Sequence, residues 1–285
     1  MSIIESIILG IVQGLTEFLP VSSSGHIAIV NSILNTGFDN DGYVLMNIVL
    51  HGATASSILY VFRNDLYKIF SGLFSNDKKQ IYFSYTILIS MIPAIIIGLF
   101  FEDLIKELFS GENKFLKDLI GQDYILFLVG SMLLITASLL FLADKSRPSN
   151  KNITFFTSLI IGFAQAIAIL PGISRSGSTI ATSVLLGIDK KESARFSFLM
   201  SVPLILGLMM REIYSLSTSQ YLLTTSPIHN INYLDLVIGF FTAFIVGIFA
   251  CKWMINLVKN SQLKYFSYYC ILVGIGVIVF NYINA

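Results

Sequence analysis

Gln13 and Glu17 lie four residues apart, which on a helix puts an amide and a carboxylate on one face. Ser22, Ser23, Ser24 and His26 follow at once, three hydroxyls and an imidazole of the kind from which nucleophiles and proton carriers are made. Far downstream a second cluster gathers Ser174, Arg175, Ser176, Ser178 and Thr179. Hydroxyls and a guanidinium at two helix starts form a phosphate-binding arrangement. Helix N-termini carry partial positive charge, and arginine grips two oxygens at once. A phosphate head fits such a site, and in a bilayer its natural companion is a lipid tail.

The bilayer follows from composition. Hydrophobic residues make up 55% of the 285 and charged residues only 12%, against about 25% charged in ordinary soluble domains, and the mean hydropathy is +0.78. The 18 basic and 17 acidic residues leave a net charge of +1, which supplies no field for nucleic acid. In such a chain Arg175 costs about 2.5 to 3.5 kcal/mol to insert and marks function by default. The plainer alternative is a structural ion pair with Glu17 that stitches the two clusters together. Ser-rich turns also serve simply to satisfy freed backbone groups, so the cluster carries the argument rather than any one serine. His26 follows the Ser/Gly turn and reads as chemical. His51 reads as a supporting or structural residue, and His229 as a solvated loop residue. Cys251 and Cys270 sit in apolar segments without metal-ligand spacing and read as packing residues.

The elements that must position these residues repeat. GIVQGLTEFLPVSSSGH at 10–26 and GFAQAIAILPGISRSGS at 162–178 superpose on a shift of 152, with Gly10 on Gly162, Gln13 on Gln165, Ser22 on Ser174 and Ser24 on Ser176. Each is an apolar run that stops at Leu-Pro, passes a Ser/Gly turn and resumes. The run from Ile3 to Leu19 extends roughly 25 Å, too short for a span of about 30 Å. Full-length apolar segments lie near 43–62, 81–101, 124–143, 194–213, 233–258 and 266–283.

The expected fold is therefore an all-α polytopic membrane protein. It has about six transmembrane helices plus two re-entrant helical hairpins in an inverted-topology repeat within one integral membrane domain, 1–285. The first repeat covers 1–145, with its hairpin at about 3–35 and three spans. The second covers 150–285, with its hairpin at about 153–187 and three spans. Broken apolar segments in corresponding halves point to a binding site near the bilayer midplane. Met1 is followed by no Lys or Arg until Arg63, so the first apolar run reads as mature structure rather than a secretory leader.

Basic residues orient the chain. Arg63, Lys68, Lys78 and Lys79, then Lys145, Arg147 and Lys151, then Lys190, Lys191 and Arg195, and finally Lys252, Lys259 and Lys264 mark cytoplasmic loops. The segment 214–230 has no basic residue and is expected outside. Loop 102–123 is expected outside as well, although Lys106, Lys114 and Lys117 weigh against it. Three spans separate the hairpins, so the first would dip in from the outer face and the second from the cytoplasm.

QGLTEFLPVSSSGH and LPGISRSGST resemble the two signature motifs of the bacterial undecaprenyl-diphosphate phosphatase family, the bacitracin-resistance phosphatases. The resemblance runs through essentially the whole chain, including ARFSFLMSVPLILG at 194–207. It implies a hydrolase of the bacterial cytoplasmic membrane that converts undecaprenyl diphosphate to undecaprenyl phosphate and inorganic phosphate. That reaction recycles the carrier for peptidoglycan and envelope polymers and confers bacitracin resistance. The family's acidic motif falls on Gln13 and Glu17, its serine turn on Ser22 to Ser24, its histidine on His26, and its arginine motif on Ser174, Arg175, Ser176 and Thr179. Many members carry Glu where this chain has Gln13, an amide that cannot act as a base, so Glu17 carries the acidic role alone.

The resulting expectation makes Glu17, Ser23, His26 and Arg175 catalytic, with Gln13, Ser22, Ser24, Ser174, Ser176 and Thr179 binding substrate. Ser23 is the preferred nucleophile and His26 the acid or base. Attack by water or by His26 itself is the alternative. The resemblance also implies stimulation by Mg²⁺ or Ca²⁺, with Glu17 a ligand. The expected partners are a polyprenyl diphosphate lipid and the bilayer, with a homodimer as one compatible assembly, and the site is expected to open to the outer face. The opposing class is a carrier moving a polyprenyl phosphate between leaflets, which would need the pocket and no nucleophile.

Overall fold

The computed structural model describes residues 3–34, 40–109, 113–120, 124–146, 151–218, 232–260 and 262–284, and His229 lies outside them. Among these residues every regular element is helical. The helices are α1 (Ile3–Thr16), α2 (Ser23–Leu34), α3 (Asn40–Val61), α4 (Arg63–Phe74), α5 (Lys78–Phe100), α6 (Glu102–Phe109), α7 (Lys114–Ile120), α8 (Tyr124–Lys145), α9 (Phe155–Ile167), α10 (Arg175–Leu185), α11 (Lys190–Thr218), α12 (Tyr233–Lys259) and α13 (Leu263–Asn284).

Five of them are long and apolar enough to cross a membrane: Lys78–Phe100, Tyr124–Lys145, Lys190–Tyr214, Tyr233–Lys259 and Leu263–Ile283. The sixth expected span, 43–62, differs. Its helix ends at a bend of 73°, beyond which α4 runs. The polar side chains of α3 bond one turn back along the helix, His51 to the Asn47 carbonyl, Thr54 to Leu50, Ser56 to Gly52 and Ser57 to Ala53. Ser57 donates to the Phe244 carbonyl of α12 at 2.8 Å. The segments at 63–80 and 102–123, expected as loops, contain the short helices α4, α6 and α7. Helices this short, with charged residues among their apolar ones, carry no hydropathy signal of a span.

The two short apolar helices, α1 and α9, each lean on a long helix from the other half of the chain. α1 packs along α12, and α9 packs along α5. α3 likewise meets α12 and α11 meets α5, while α8 pairs with α13 and α3 with α11. Small residues make the close contacts possible, as in membrane helix packing generally. A Cβ at Gly10 would lie 2.8 Å from the Thr242 Cβ, and one at Gly162 would collide with the Ser90 carbonyl. Ser90 and Thr242 are themselves related by the shift of 152. A single large apolar cluster then joins both halves, with Phe18, Ile58, Leu133, Ile180, Phe198 and Met254 among its members.

Basic residues from three separate segments, 63–79, 151 and 191–195, come together around one groove. That groove lies at the N-terminal ends of α5 and α11.

Gly162→Val should lower the melting temperature in detergent, since overpacking a close contact typically costs about 1–3 kcal/mol. Gly276→Ala should be neutral or slightly stabilising, because no atom lies within 4 Å of the added carbon. Equal melting temperatures for the two variants would contradict this packing.

Candidate active site

Each hairpin breaks where its sequence forbids helix. After Thr16 a turn carries Pro20, and after Ile167 a turn carries Pro171 and Gly172; proline removes a donor and blocks continuation. The restart is capped the same way in both. Ser22 Oγ accepts from the Gly25 N–H at 3.3 Å and Ser174 Oγ from the Gly177 N–H at 3.1 Å, the N-cap geometry that satisfies an orphan donor. Ser22 Oγ lies 3.3 Å from Ser24 Oγ, and Ser174 Oγ lies 3.3 Å from Ser176 Oγ.

Neighbouring helices satisfy the freed backbone, as a broken segment at membrane depth requires. Thr136 Oγ1 of α8 accepts from the Ser174 N–H at 3.0 Å, and Cys270 Sγ of α13 donates to the Pro20 carbonyl at 3.6 Å. Ser22 has φ +71° and Gly172 φ +97°. The left-handed region costs a residue with a Cβ about 1–2 kcal/mol, and at Gly172 a Cβ would stand 2.7 Å from the Val129 carbonyl.

The restarts converge on one carboxylate. Arg175 Nη2 pairs with Glu17 Oε1. Ser23 Oγ donates to Glu17 Oε2 at 2.7 Å, and Gln13 Nε2 donates to the same oxygen at 3.1 Å. Ser23 opens α2 and Arg175 opens α10, so two helix N-termini attend a single acid, a favourable electrostatic arrangement. Phe18, next in sequence, is fully buried in the main apolar cluster and packs its ring tilted against Phe198 at 5.8 Å, which pins the Glu17 backbone. The ion pair weighed as the plainer reading of Arg175 is present, and it sits on the wall of a cavity.

That cavity, of about 340 Å³, is lined by Glu17, Ser22, Ser23 and Ser24 from the first hairpin and by Ser174, Arg175 and Ser176 from the second. Three expected residues stand elsewhere. Gln13 is wholly buried behind Glu17. Thr179 is buried between helices, donating to the Arg175 carbonyl at 2.8 Å and sharing a 2.5 Å hydrogen bond with Ser197 Oγ of α11. His26 is turned to α13: its Nδ1 donates to the Ser22 carbonyl at 2.8 Å, so its Nε2 accepts from the Tyr269 hydroxyl at 2.7 Å. Both ring nitrogens are engaged away from the cavity.

Three other polar residues take part in its wall: His51 from α3, Gln165 from α9 and Arg211 from α11. His51 Nδ1 donates to the Asn47 carbonyl at 2.8 Å, which leaves Nε2 as the basic nitrogen. Gln165 was detectable in the sequence, because the repeat superposes it on Gln13. His51 and Arg211 had no such signal, since only the packing of α3 and α11 brings them to the hairpins.

Among the described residues no three His, Cys, Asp or Glu gather as a closed metal site. The oxygens at hand are those of Glu17, the serine hydroxyls and the buried Oε1 of Gln13, which has no hydrogen-bond partner. That set fits a hard cation held mainly by phosphate oxygens, which needs only one or two protein carboxylates.

Glu17→Gln and Arg175→Met should each destabilise the detergent-solubilised protein by about 3–5 kcal/mol, because removal of one partner strands a buried charge. The double variant should lose less than the sum. Strict additivity in a thermal-melt double-mutant cycle would show that the pair is not coupled.

The family described as bacitracin resistance protein BacA matches residues 6–276. A protein of Christiangramia forsetii named undecaprenyl-diphosphatase is 50% identical, covering 99% of this chain and 99% of its own length. Others of the same name are 42% identical in Bacteroides thetaiotaomicron, over 98% of this chain and 99% of the relative, and 40% identical in Methanococcus vannielii, over 97% and 99%. With both broken helices, the glutamate–arginine pair and this near-complete coverage, the chain belongs to the bacitracin resistance protein BacA family.

Proposed function

We propose that this chain is an integral membrane phosphatase that hydrolyses undecaprenyl diphosphate to undecaprenyl phosphate and inorganic phosphate, recycling the lipid carrier of envelope polymer synthesis. The observation that carries the reading is Ser23 Oγ held 2.7 Å from a glutamate whose other oxygen is paired with an arginine. This is a hydroxyl beside a base, next to an arginine suited to grip phosphate oxygens, in a chain whose relatives bear that enzyme's name.

The diphosphate competes with Glu17 for Arg175, while Arg211 and the hydroxyls of Ser22, Ser24, Ser174 and Ser176 take further oxygens. The prenyl chain continues over apolar wall residues such as Ile169, Leu204 and Leu208. Ser23 Oγ attacks the terminal phosphorus, and its proton passes to Glu17 Oε2. The bond from that phosphorus to the bridging oxygen breaks, and undecaprenyl phosphate leaves with the electron pair. Arg175 and the two helix N-termini stabilise the charge on the transferring group. Water then adds to the phosphoserine, giving its proton to His51 Nε2. The P–Oγ bond breaks, Oγ recovers its proton from Glu17, phosphate departs, and His51 releases its proton to solvent. His26, with both nitrogens occupied, holds the first hairpin against α13. A bound Mg²⁺ or Ca²⁺, held by Glu17 together with phosphate oxygens, would neutralise phosphate charge.

The same reading places the protein in the bacterial cytoplasmic membrane with the cavity open to the outer face. The groove of basic residues and the cavity occupy opposite ends of the same helices. Lys79 and Gly98 of α5 are about 28 Å apart at 1.5 Å per residue, and Arg195 and Arg211 of α11 about 24 Å. Lysine-rich ends favour the cytoplasm. The reciprocal leaning of α1 on α12 and α9 on α5 supports an inverted-topology relation between 1–145 and 150–285.

Ser23→Ala should reduce phosphate release from a prenyl diphosphate by at least about 10³-fold, and wild-type rates in that variant would move the nucleophile elsewhere. His51→Gln should lower turnover by about 10²- to 10⁴-fold and accumulate a phosphoenzyme labelled at Ser23. A labelled phosphoenzyme in His26→Gln but not in His51→Gln would reverse the assignment of the two histidines.

A further inference from the structure

The bend between α3 and α4 sets a level on the molecule. α4 leaves α3 at 73°, and its surface divides: Ile69 and Gly72 are buried, while Tyr67, Phe70 and Phe74 are exposed one turn after another. An amphipathic helix turned across the apolar spans, with an aromatic stripe outward, lies in the interface plane of a membrane. Headgroups therefore lie beside α4.

The groove of about 1030 Å³ lies at this same level, lined by Asp65 and Lys68 of α4. Its other charged residues are Lys79, Lys151, Lys191, Glu192 and Arg195. Both acids are committed to the same arginine: Arg195 reaches Asp65 at 2.8 Å and Glu192 at 3.1 Å, while its guanidinium stacks over the Phe83 ring at 4.9 Å. The four lysines are left without an ion pair among the described residues. The wall carrying Lys151 is built rather than loose, since the Lys151 N–H donates to the Gly187 carbonyl at 3.1 Å.

We propose that this groove binds the phosphate-bearing headgroup of an anionic bilayer phospholipid. Four lysines line one groove without an ion pair among the described residues and leave it an excess of positive charge, which a bound anion offsets. Their position beside an interfacial helix selects an anion that is itself fixed at the interface. Basic pockets between membrane helices take anionic headgroups for this reason. The site is remote from Glu17 and does not depend on the reaction assigned to the cavity.

The test uses the full chain in micelles doped with equal phosphatidylglycerol and phosphatidylcholine of matched chains, with retained lipid read by native mass spectrometry. Wild type should retain phosphatidylglycerol preferentially. A variant with Lys68, Lys79, Lys151 and Lys191 changed to Gln should lose that retention by at least about tenfold. Changing Lys145, Lys252, Lys259 and Lys264 to Gln removes as many lysines from outside the groove and should leave it intact. Equal retention in wild type and the groove variant, or equal loss in both variants, would overturn the site. Arginine at the four groove positions should restore retention, and failure to do so would overturn recognition by charge. Inorganic phosphate or glycerol phosphate at millimolar concentration should displace no lipid. Full displacement would identify a soluble-anion site and overturn the lipid assignment.

Discussion

Two broken helices meet on one ion pair, and the rest of the molecule is arranged to make that meeting tolerable. An arginine or glutamate alone inside a bilayer is costly, and neither hairpin contains a partner for its own charge. Glu17 comes from the first and Arg175 from the second. The halves must therefore be held in one register, or both charges are stranded. That requirement accounts for the burial of Phe18 beside Glu17 and for the capping of α10 by Ser174 next to Arg175. It accounts equally for the support each turn receives, from Thr136 in one case and Cys270 in the other.

Charge placement and backbone satisfaction turn out to be one problem. Interrupting a helix frees donors and acceptors that lipid cannot satisfy. The hydroxyls that satisfy them are the same ones that line the cavity. Ser22 and Ser174 cap their helices while facing the cavity, and Ser176 donates to the Leu19 carbonyl of the opposite hairpin at 3.2 Å. A serine that satisfies freed backbone and a serine that lines the cavity are thus the same residue. The demand for internal hydrogen bonding thereby assembles the hydroxyl lining of the cavity.

Division of labour among the helices follows from where apolar surface is needed. α5, α8, α11, α12 and α13 present lipid-facing faces and carry the apolar signal of spans. α3 packs against α1, α11 and α12 and carries His51, Thr54 and Ser57 among its apolar residues. The charges at the N-terminal ends of α5 and α11 stay at the opposite end from the cavity, so the long helices separate a basic surface from the buried pair.

Much of this was legible in the residues alone. The broken repeats, the long spans and the clusters around Glu17 and Arg175 follow from local rules: proline stops a helix, serine caps one, and a run of apolar residues seeks lipid. Those rules act within a few residues, so sequence order carries them. The partners supplied from a distance were not legible. That His26 turns to Tyr269, that Thr179 points into the α10–α11 contact, and that His51 and Arg211 reach the cavity depend on which faces of separate helices meet. Helix rotation is set by the collective packing of glycines, hydroxyls and large side chains across the bundle, and no short stretch of the chain encodes it.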